Sequence, residues 1–370
     1  TSIRAALVST NSVSQGESVA NLWKPLLEND VHIDFAYRTF QWDSEAKIKA
    51  HVHCVIIGFS IAPYNKPKKI FIDERYQIAK NINGYLLDAA NVYVESRNKP
   101  ICNIPEIGIG NKPIDGGYYL FEKEEMEEFI KKEPEAKKYF RPWYGSKEFI
   151  NRSPRYCLWL GECSPAELRK LPLCMERVRE VKEYRLQSTS AGTVKLAERP
   201  TRFHVENIPE VSSQRRRYVP MGFFTPNIFC SNLVKIIPDA TLYHFGVLTS
   251  NVHMAWMRVV CGRLKSDYRY SKDIVYNNFP WPEPSTQQRQ KIEQTAQAIL
   301  DARALYPDSS LADLYDELTM PPELRKAHHQ NDMAVMQAYG FTKGSEAYKS
   351  EAACVAELMQ RYQKLCEEQK

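Results

Sequence analysis

Side chains able to read a polyanion are densest in Ser212-Ser213-Gln214-Arg215-Arg216-Arg217-Tyr218, which mixes hydroxyls, an amide and three guanidiniums. Arginine pairs bidentately with guanine edges, glutamine with adenine, and hydroxyls with phosphates or base edges. Arg202 and His204 precede this run, and Arg258, Arg263, Lys265 and Arg269 follow it, the last three interleaved with Tyr268 and Tyr270. Solvated or ion-paired arginines would use the same residue types. The tight cluster inside a locally basic stretch is what points to DNA contact.

A second set is aromatic. Tyr37, Phe40 and Trp42 fall at the end of an alternating segment and the start of its turn. Phe40 and Trp42 are two apart, so an extended chain turns them to one side. An enzyme that modifies a base must extract it from the stack and hold it against flat surfaces. Rings at the rim of a sheet suit that use, whereas packing beneath a neighbouring domain is the ordinary one and is favoured by the residues alone.

Other chemistries lack their residues. There is no P-loop and no G-x-S-x-G elbow. The G-x-G of residues 107–113 (IGIGNKP) has no strand-to-helix setting and reads as a turn. His328–His329 have no i,i+4 partner, and the nine cysteines contain no C-x-x-C spacing, so no metal site is expected. Scattered, odd-numbered cysteines suit a reduced, cytoplasmic protein. No apolar run approaches the roughly 20 residues that span a bilayer, so no membrane partner is expected. The start at Thr1, with no charged-then-apolar leader, reads as a cut from a longer protein. The net charge of +5 is unevenly placed: residues 1–150 balance, residues 151–282 carry +9 and residues 283–370 carry −4. A basic middle between neutral and acidic flanks is the footprint of a local polyanion-binding surface.

The elements that must position these groups follow from periodicity. Strands are expected at residues 3–10, 32–40 and 51–59, with a helix over 12–28, so a strand–helix–strand unit closes in an antiparallel hairpin. Residues 63–69 (PYNKPKK) read as a linker. Beyond it the pattern mixes helices (122–132, 165–170, 173–185, 249–264) with short strands (156–160, 203–205, 233–237, 241–245). Prolines 280, 282 and 284 end that region, and helices are expected at 289–305, 311–318, 322–339 and 346–368.

Several long strings then carry a family likeness: residues 8–26 (VSTNSVSQGESVANLWKPL), 34–59 (DFAYRTFQWDSEAKIKAHVHCVIIGF), 144–160 (YGSKEFINRSPRYCLWL), 211–224 (VSSQRRRYVPMGFF), 250–282 and 318–341. In this order they resemble γ-type DNA adenine methyltransferases and, more narrowly, the MmeI-like (type IIL) combined restriction–modification enzymes. The resemblance implies an α/β chain in three parts. Residues 1–80 would be a remnant of a Rossmann-like methyltransferase sheet, 81–283 a mixed α/β target recognition domain, and 284–370 a helical C-terminal domain. It implies double-stranded DNA as partner, upstream methyltransferase and nuclease domains in cis, and S-adenosylmethionine as cofactor of the full-length enzyme.

The family's Gly-containing cofactor motif and its Asn-Pro-Pro-aromatic motif do not occur here. No catalytic residue, no bound cofactor and no independent activity are therefore expected of this piece. The resemblance marks Phe40 and Trp42 as base-stacking candidates. Arg202, His204, Gln214, Arg215, Arg216, Arg217, Arg263, Lys265 and Arg269 stand as DNA-binding candidates. Asn11, Ser12, Gln15 and Gly16 follow the first strand, where open α/β sheets bind ligands; they would line the cleft or cap the next helix. The competing functions are a stand-alone DNA-binding specificity module without catalysis and an RNA- or protein-binding scaffold.

Overall fold

A computed structural model describes residues 3–42, 52–61, 66–205, 211–212, 218–225, 227–232, 234–264 and 267–369. The first layer is a mixed sheet. Strand β1 (Arg4–Thr10) leads through a short turn into helix α1 (Glu17–Leu27), followed by β2 (His32–Trp42), β3 (Val52–Ser60), β4 (Lys68–Ile72) and β5 (Arg75–Ala79). The spatial order is β1-β3-β2-β4-β5. Strand β3 lies antiparallel to both β1 and β2, so those two run parallel with β3 between them. Alternation fixes the register: Ile57 pairs with Leu7 on one side and Ala36 on the other, and Ala36 pairs with Ile70. Ile33, Ala36, Val55, Ile57 and Ile70 are buried in one cluster with Val19 and Trp23 of α1. The expected linker at 63–69 is corrected here, because β4 begins at Lys68 and pairs in parallel with β2. The lysines concealed an apolar core in Ile70–Phe71.

The middle of the chain builds a second, aromatic core. Its elements, in order, are β6 (Gly108–Ile109), β7 (Leu120–Phe121), α2 (Lys123–Lys132), β8 (Phe140–Tyr144), α3 (Ser146–Asn151), β9 (Arg155–Leu158), α4 (Pro165–Leu168), α5 (Pro172–Leu186) and α6 (Ala191–Leu196). Phe121, Phe129 and Phe140 meet edge to face, and Trp143, Trp159 and Phe203 form a second such group. The segment expected as a strand at 203–205 contributes only a bridge from Val205 to Lys112. The G-x-G segment is a strand rather than a turn. Gly108–Ile109 pairs with a later strand, and a Cβ on Gly110 would stand 2.3 Å from the Ser231 carbonyl oxygen, so glycine permits backbone contact there and cradles nothing.

After these come β10 (Val211–Ser212), β11 (Met221–Gly222), β12 (Phe229–Cys230) and β13 (Lys235–Ile236). Helices α7 (Leu242–Thr249) and α8 (Asn251–Val260) then lead to the hairpin β14 (Gly262–Leu264) and β15 (Asp267–Arg269). Two expectations are corrected. Residues 241–245 are not a strand: Thr241 caps a helix whose residues from Phe245 to Thr249 are all buried, and a short apolar run cannot be told from a buried helix by periodicity. The helix expected over 249–264 ends at Val260, where the chain turns extended at Cys261 and enters the hairpin.

The last layer is helical: α9 (Thr286–Ala304), α10 (Leu311–Leu314), α11 (Pro322–Ala338), α12 (Glu346–Lys349) and α13 (Glu351–Glu368). The last two replace one expected helix because Ser350 is extended and caps α13 through a bond from Ala353 N. Outside the aromatic core of the middle segment, buried residues from Val19 to Tyr362 form one continuous hydrophobic cluster.

Candidate nucleic-acid interface

Hairpin β14–β15 sets Arg263 opposite Tyr268 and Gly262 opposite Arg269. The Arg263 guanidinium lies 4.4 Å from the Tyr268 ring centre and donates from Nη2 to its hydroxyl at 3.3 Å. That geometry stacks a cation on an aromatic face and fixes its plane. Its Nε is buried with no hydrogen-bond partner. Arg269 is exposed. The turn before α1 comes up against the hairpin and encloses a cleft of about 460 Å³, lined by Ser12, Gln15, Ser18, Arg263, Arg269 and Asp273 among others. Two sets of candidates that are far apart in sequence therefore meet. Asn11 does not line the cleft: it is 8% exposed and its Nδ2 has no hydrogen-bond partner.

The aromatic candidates stand at the same end of the sheet. Cys54 pairs with Thr10 on β1 and with Phe40 on β2, so the turn holding Ser12 starts roughly 10 Å, two strand spacings, from Phe40. Phe40 and Trp42 are neighbours, with ring centres 6.4 Å apart, and Trp42 is 48% exposed. Tyr37 stacks on Phe71 at 4.2 Å, and Phe71 touches Tyr76, extending an aromatic face across the sheet.

One basic group escaped the sequence reading. Arg38 sits where β2 slips register between Tyr37 and Phe40, so that Arg38 and Thr39 oppose Val55 alone. A bulge of this kind re-aims a side chain. Burial pushes the Arg38 guanidinium below the usual arginine range; Glu351 draws it back up and Arg263 presses it down. The legible signal was an arginine between the aromatics Tyr37 and Phe40 of an alternating strand.

Arg202 and His204 lie elsewhere, outside the cleft lining. His204 N donates to the Lys112 carbonyl at 2.8 Å, and the Arg202 carbonyl accepts from Arg185 Nη2 at 2.8 Å; both candidates are exposed. Gln214, Arg215, Arg216, Arg217 and Lys265 fall outside the described residues. The described flank of the arginine run is anchored: Tyr218 donates to Asp332 Oδ2 at 2.7 Å and stacks on His328 at 4.1 Å. His328 is fully buried and shares a hydrogen bond with the Tyr315 hydroxyl. Among the described residues no three His, Cys, Asp or Glu are grouped to hold a metal, the nine cysteines are free thiols, and no helix is long and apolar enough to cross a membrane.

The mixed sheet thus carries an aromatic rim and, at the same strand ends, a basic hairpin that closes on the turn before α1. Residues 88–283 match the family described as MmeI, target recognition domain, residues 284–369 the MmeI C-terminal domain, and residues 1–72 the MmeI DNA-methyltransferase domain. The chain belongs to the MmeI family. It is 41% identical over 375 residues to DNA methyltransferase A of Bacillus subtilis (strain 168), covering 99% of this chain and 42% of that protein. It also matches the solved type IIL restriction–modification enzyme MmeI, determined in complex with DNA, at 45% identity and a TM-score of 0.86, covering 99% of this chain and 50% of that one. The chain thus spans half or less of the length of these relatives.

Proposed function

We propose that this chain reads duplex DNA for a larger S-adenosylmethionine-dependent adenine-N6 methyltransferase that also carries a nuclease, both supplied in cis by the rest of the protein. The division of labour would follow residues 1–80, 81–283 and 284–370, in a cytoplasmic setting that keeps the thiols reduced. The observation that carries this reading is the cleft that brings Ser12 and Gln15 to Arg263 and Arg269, beside the rim bearing Phe40 and Trp42. Backbone phosphates would set register there, the hairpin and the Gln214–Arg217 run would contact base edges, and the rings would receive the extruded adenine.

The cofactor does not fit the residues present. The family's Gly-containing cofactor motif does not occur in the chain, and the cleft lining sets Glu17 and Asp273 against Arg263 and Arg269, so its charge supplies no cofactor site of its own. The chain alone is accordingly inactive, and no step of methyl transfer is assigned to its residues. The apolar residues of β1 favour a partner domain in cis over a stand-alone specificity module: Leu7 is 59% and Val8 53% exposed on an edge strand.

Fluorescence anisotropy of the 370-residue chain with a labelled duplex tests the reading. Binding should weaken steeply with salt, and Arg263→Gln should weaken it further. Equal competition by RNA, or salt-independent binding, would refute it. Transfer of labelled methyl groups to DNA by the chain alone would refute its inactivity.

A further inference from the structure

We propose that Asp332 and Glu351, on α11 and at the start of α13, are positioning residues for DNA recognition: they grip the two ends of α8 and so set where hairpin β14–β15 stands. The inference rests on the reading that this hairpin contacts DNA.

Asp332 is 5% exposed and fully engaged. Its Oδ1 accepts from the backbone N of Asn251, the first residue of α8, at 2.7 Å, and its Oδ2 accepts from Tyr218 at 2.7 Å. One carboxylate therefore ties the start of α8 to the residue that follows the arginine run. Glu351 takes the other end. Its two oxygens accept from Arg258 Nε and Nη2, each at 2.8 Å, a forked pairing that fixes direction as well as distance.

The gripped positions, Asn251 and Arg258, lie seven residues apart on α8, about 10 Å of helix. Its buried Val252, Met254, Ala255, Trp256 and Met257 hold it against the core. Apolar contact is non-directional, whereas the paired carboxylates fix rotation and axial position. The hairpin leaves α8 through buried Cys261 and returns to it at Tyr270, whose hydroxyl meets His253 Nε2 at 3.0 Å. Both ends of the hairpin are thus fastened to the gripped helix. Glu351 also faces Arg38, on which Arg263 bears with like charge. Removing that carboxylate would loosen the grip and leave the arginines to repel one another.

Base reading tolerates such movement poorly. A bidentate base contact demands placement within about 0.5 Å, while phosphate attraction acts over a Debye length of roughly 10 Å. Loosening α8 should therefore blunt discrimination and spare the salt-dependent attraction.

The test selects bound sequences from a random-sequence duplex library with the whole chain and with Glu351→Gln, and measures melting temperature and the salt dependence of binding for both. Glu351 has a side chain 49% exposed, so the variant should fold. The expected result is a melting temperature within a few degrees, an unchanged salt slope, and a preferred sequence whose discrimination falls about tenfold, as for the loss of one base contact. The swapped pair Arg258→Glu with Glu351→Arg should recover part of it. Tyr218→Phe, which frees only one arm of Asp332, should show a smaller loss of the same kind. Undiminished discrimination in Glu351→Gln overturns the proposal, as does a parallel fall in melting temperature, salt slope and discrimination, which marks a structural role only. A parent chain that selects no sequence overturns the DNA-reading function itself.

Discussion

Gly16, which opens α1, and Gly262, which opens the basic hairpin, meet backbone to backbone: a Cβ on Gly16 would lie 3.3 Å from the Cα and N of Gly262. The contact closes the cleft, and the two residues are unequal in it. Gly16 has φ +57 and ψ −149, a region essentially closed to L side chains. Nothing lies within 4 Å of a Cβ built on Gly262. Gly16→Ala should cost about 2 kcal/mol in urea denaturation, and Gly262→Ala no more than about 0.5 kcal/mol. Equal costs would mean that the strain at Gly16 is not what singles it out.

Arg185 is fully buried and has no carboxylate partner among its hydrogen bonds. Its guanidinium donates instead to the carbonyls of Pro113, Ile114, Leu196, Arg199 and Arg202. Burial holds its pKa below the usual arginine range. A lysine has three donors in a different geometry, so Arg185→Lys leaves carbonyls unpaired. We expect a loss of about 3 kcal/mol or more, read from the denaturation midpoint. A loss below about 1 kcal/mol would show that water replaces the missing bonds.

His253 gives the fold a pH dependence. Complete burial holds its pKa down to about 3, against an ordinary value of 6.5. The unfolded chain therefore takes up the proton first. The stability this residue contributes is complete above pH 6.5 and is lost as the pH falls from there toward 3. Between pH 7 and pH 5 the loss should be about 2 kcal/mol. In His253→Gln, which does not titrate, the difference between the two pH values should shrink by about that amount.

Strand β1 sits at the end of its sheet and exposes Leu7 and Val8 on opposite faces. Open apolar edges pair with other chains. The isolated chain should self-associate in sedimentation at micromolar concentrations, and Val8→Lys should shift it to monomer. Identical association of parent and variant would place the contact elsewhere.

The strands and helices with strong periodicity were legible in the sequence. Residues 32–42 alternate, residues 4–10 and 52–60 are short apolar runs, and α9 and α11 repeat at helical spacing. Their pairing was not, because register across β3 depends on Cys54 meeting both Thr10 and Phe40, a relation between distant residues. β4 was hidden by its lysines. Helix α7 was hidden because burial on all sides removes the amphipathic signal. For the candidate site, residue types pointed to Arg263 and Arg269, and position after a strand pointed to Ser12 and Gln15. That they share one cleft required the fold, as did the placement of Arg38 in a bulge, whose extra residue leaves no mark in composition.

The sheet of the aromatic core has the order β12-β8-β9-β7, so Phe229–Cys230 pairs in parallel with Trp143–Tyr144. Strands β7, β8 and β9 all leave the ribosome well before that last strand exists. At roughly 5–20 residues per second, the seventy-odd residues between β9 and β12 take several seconds to translate. The nascent chain passes that interval with one flank of β8 open, so this flank is the place where a chaperone or a premature contact would act first.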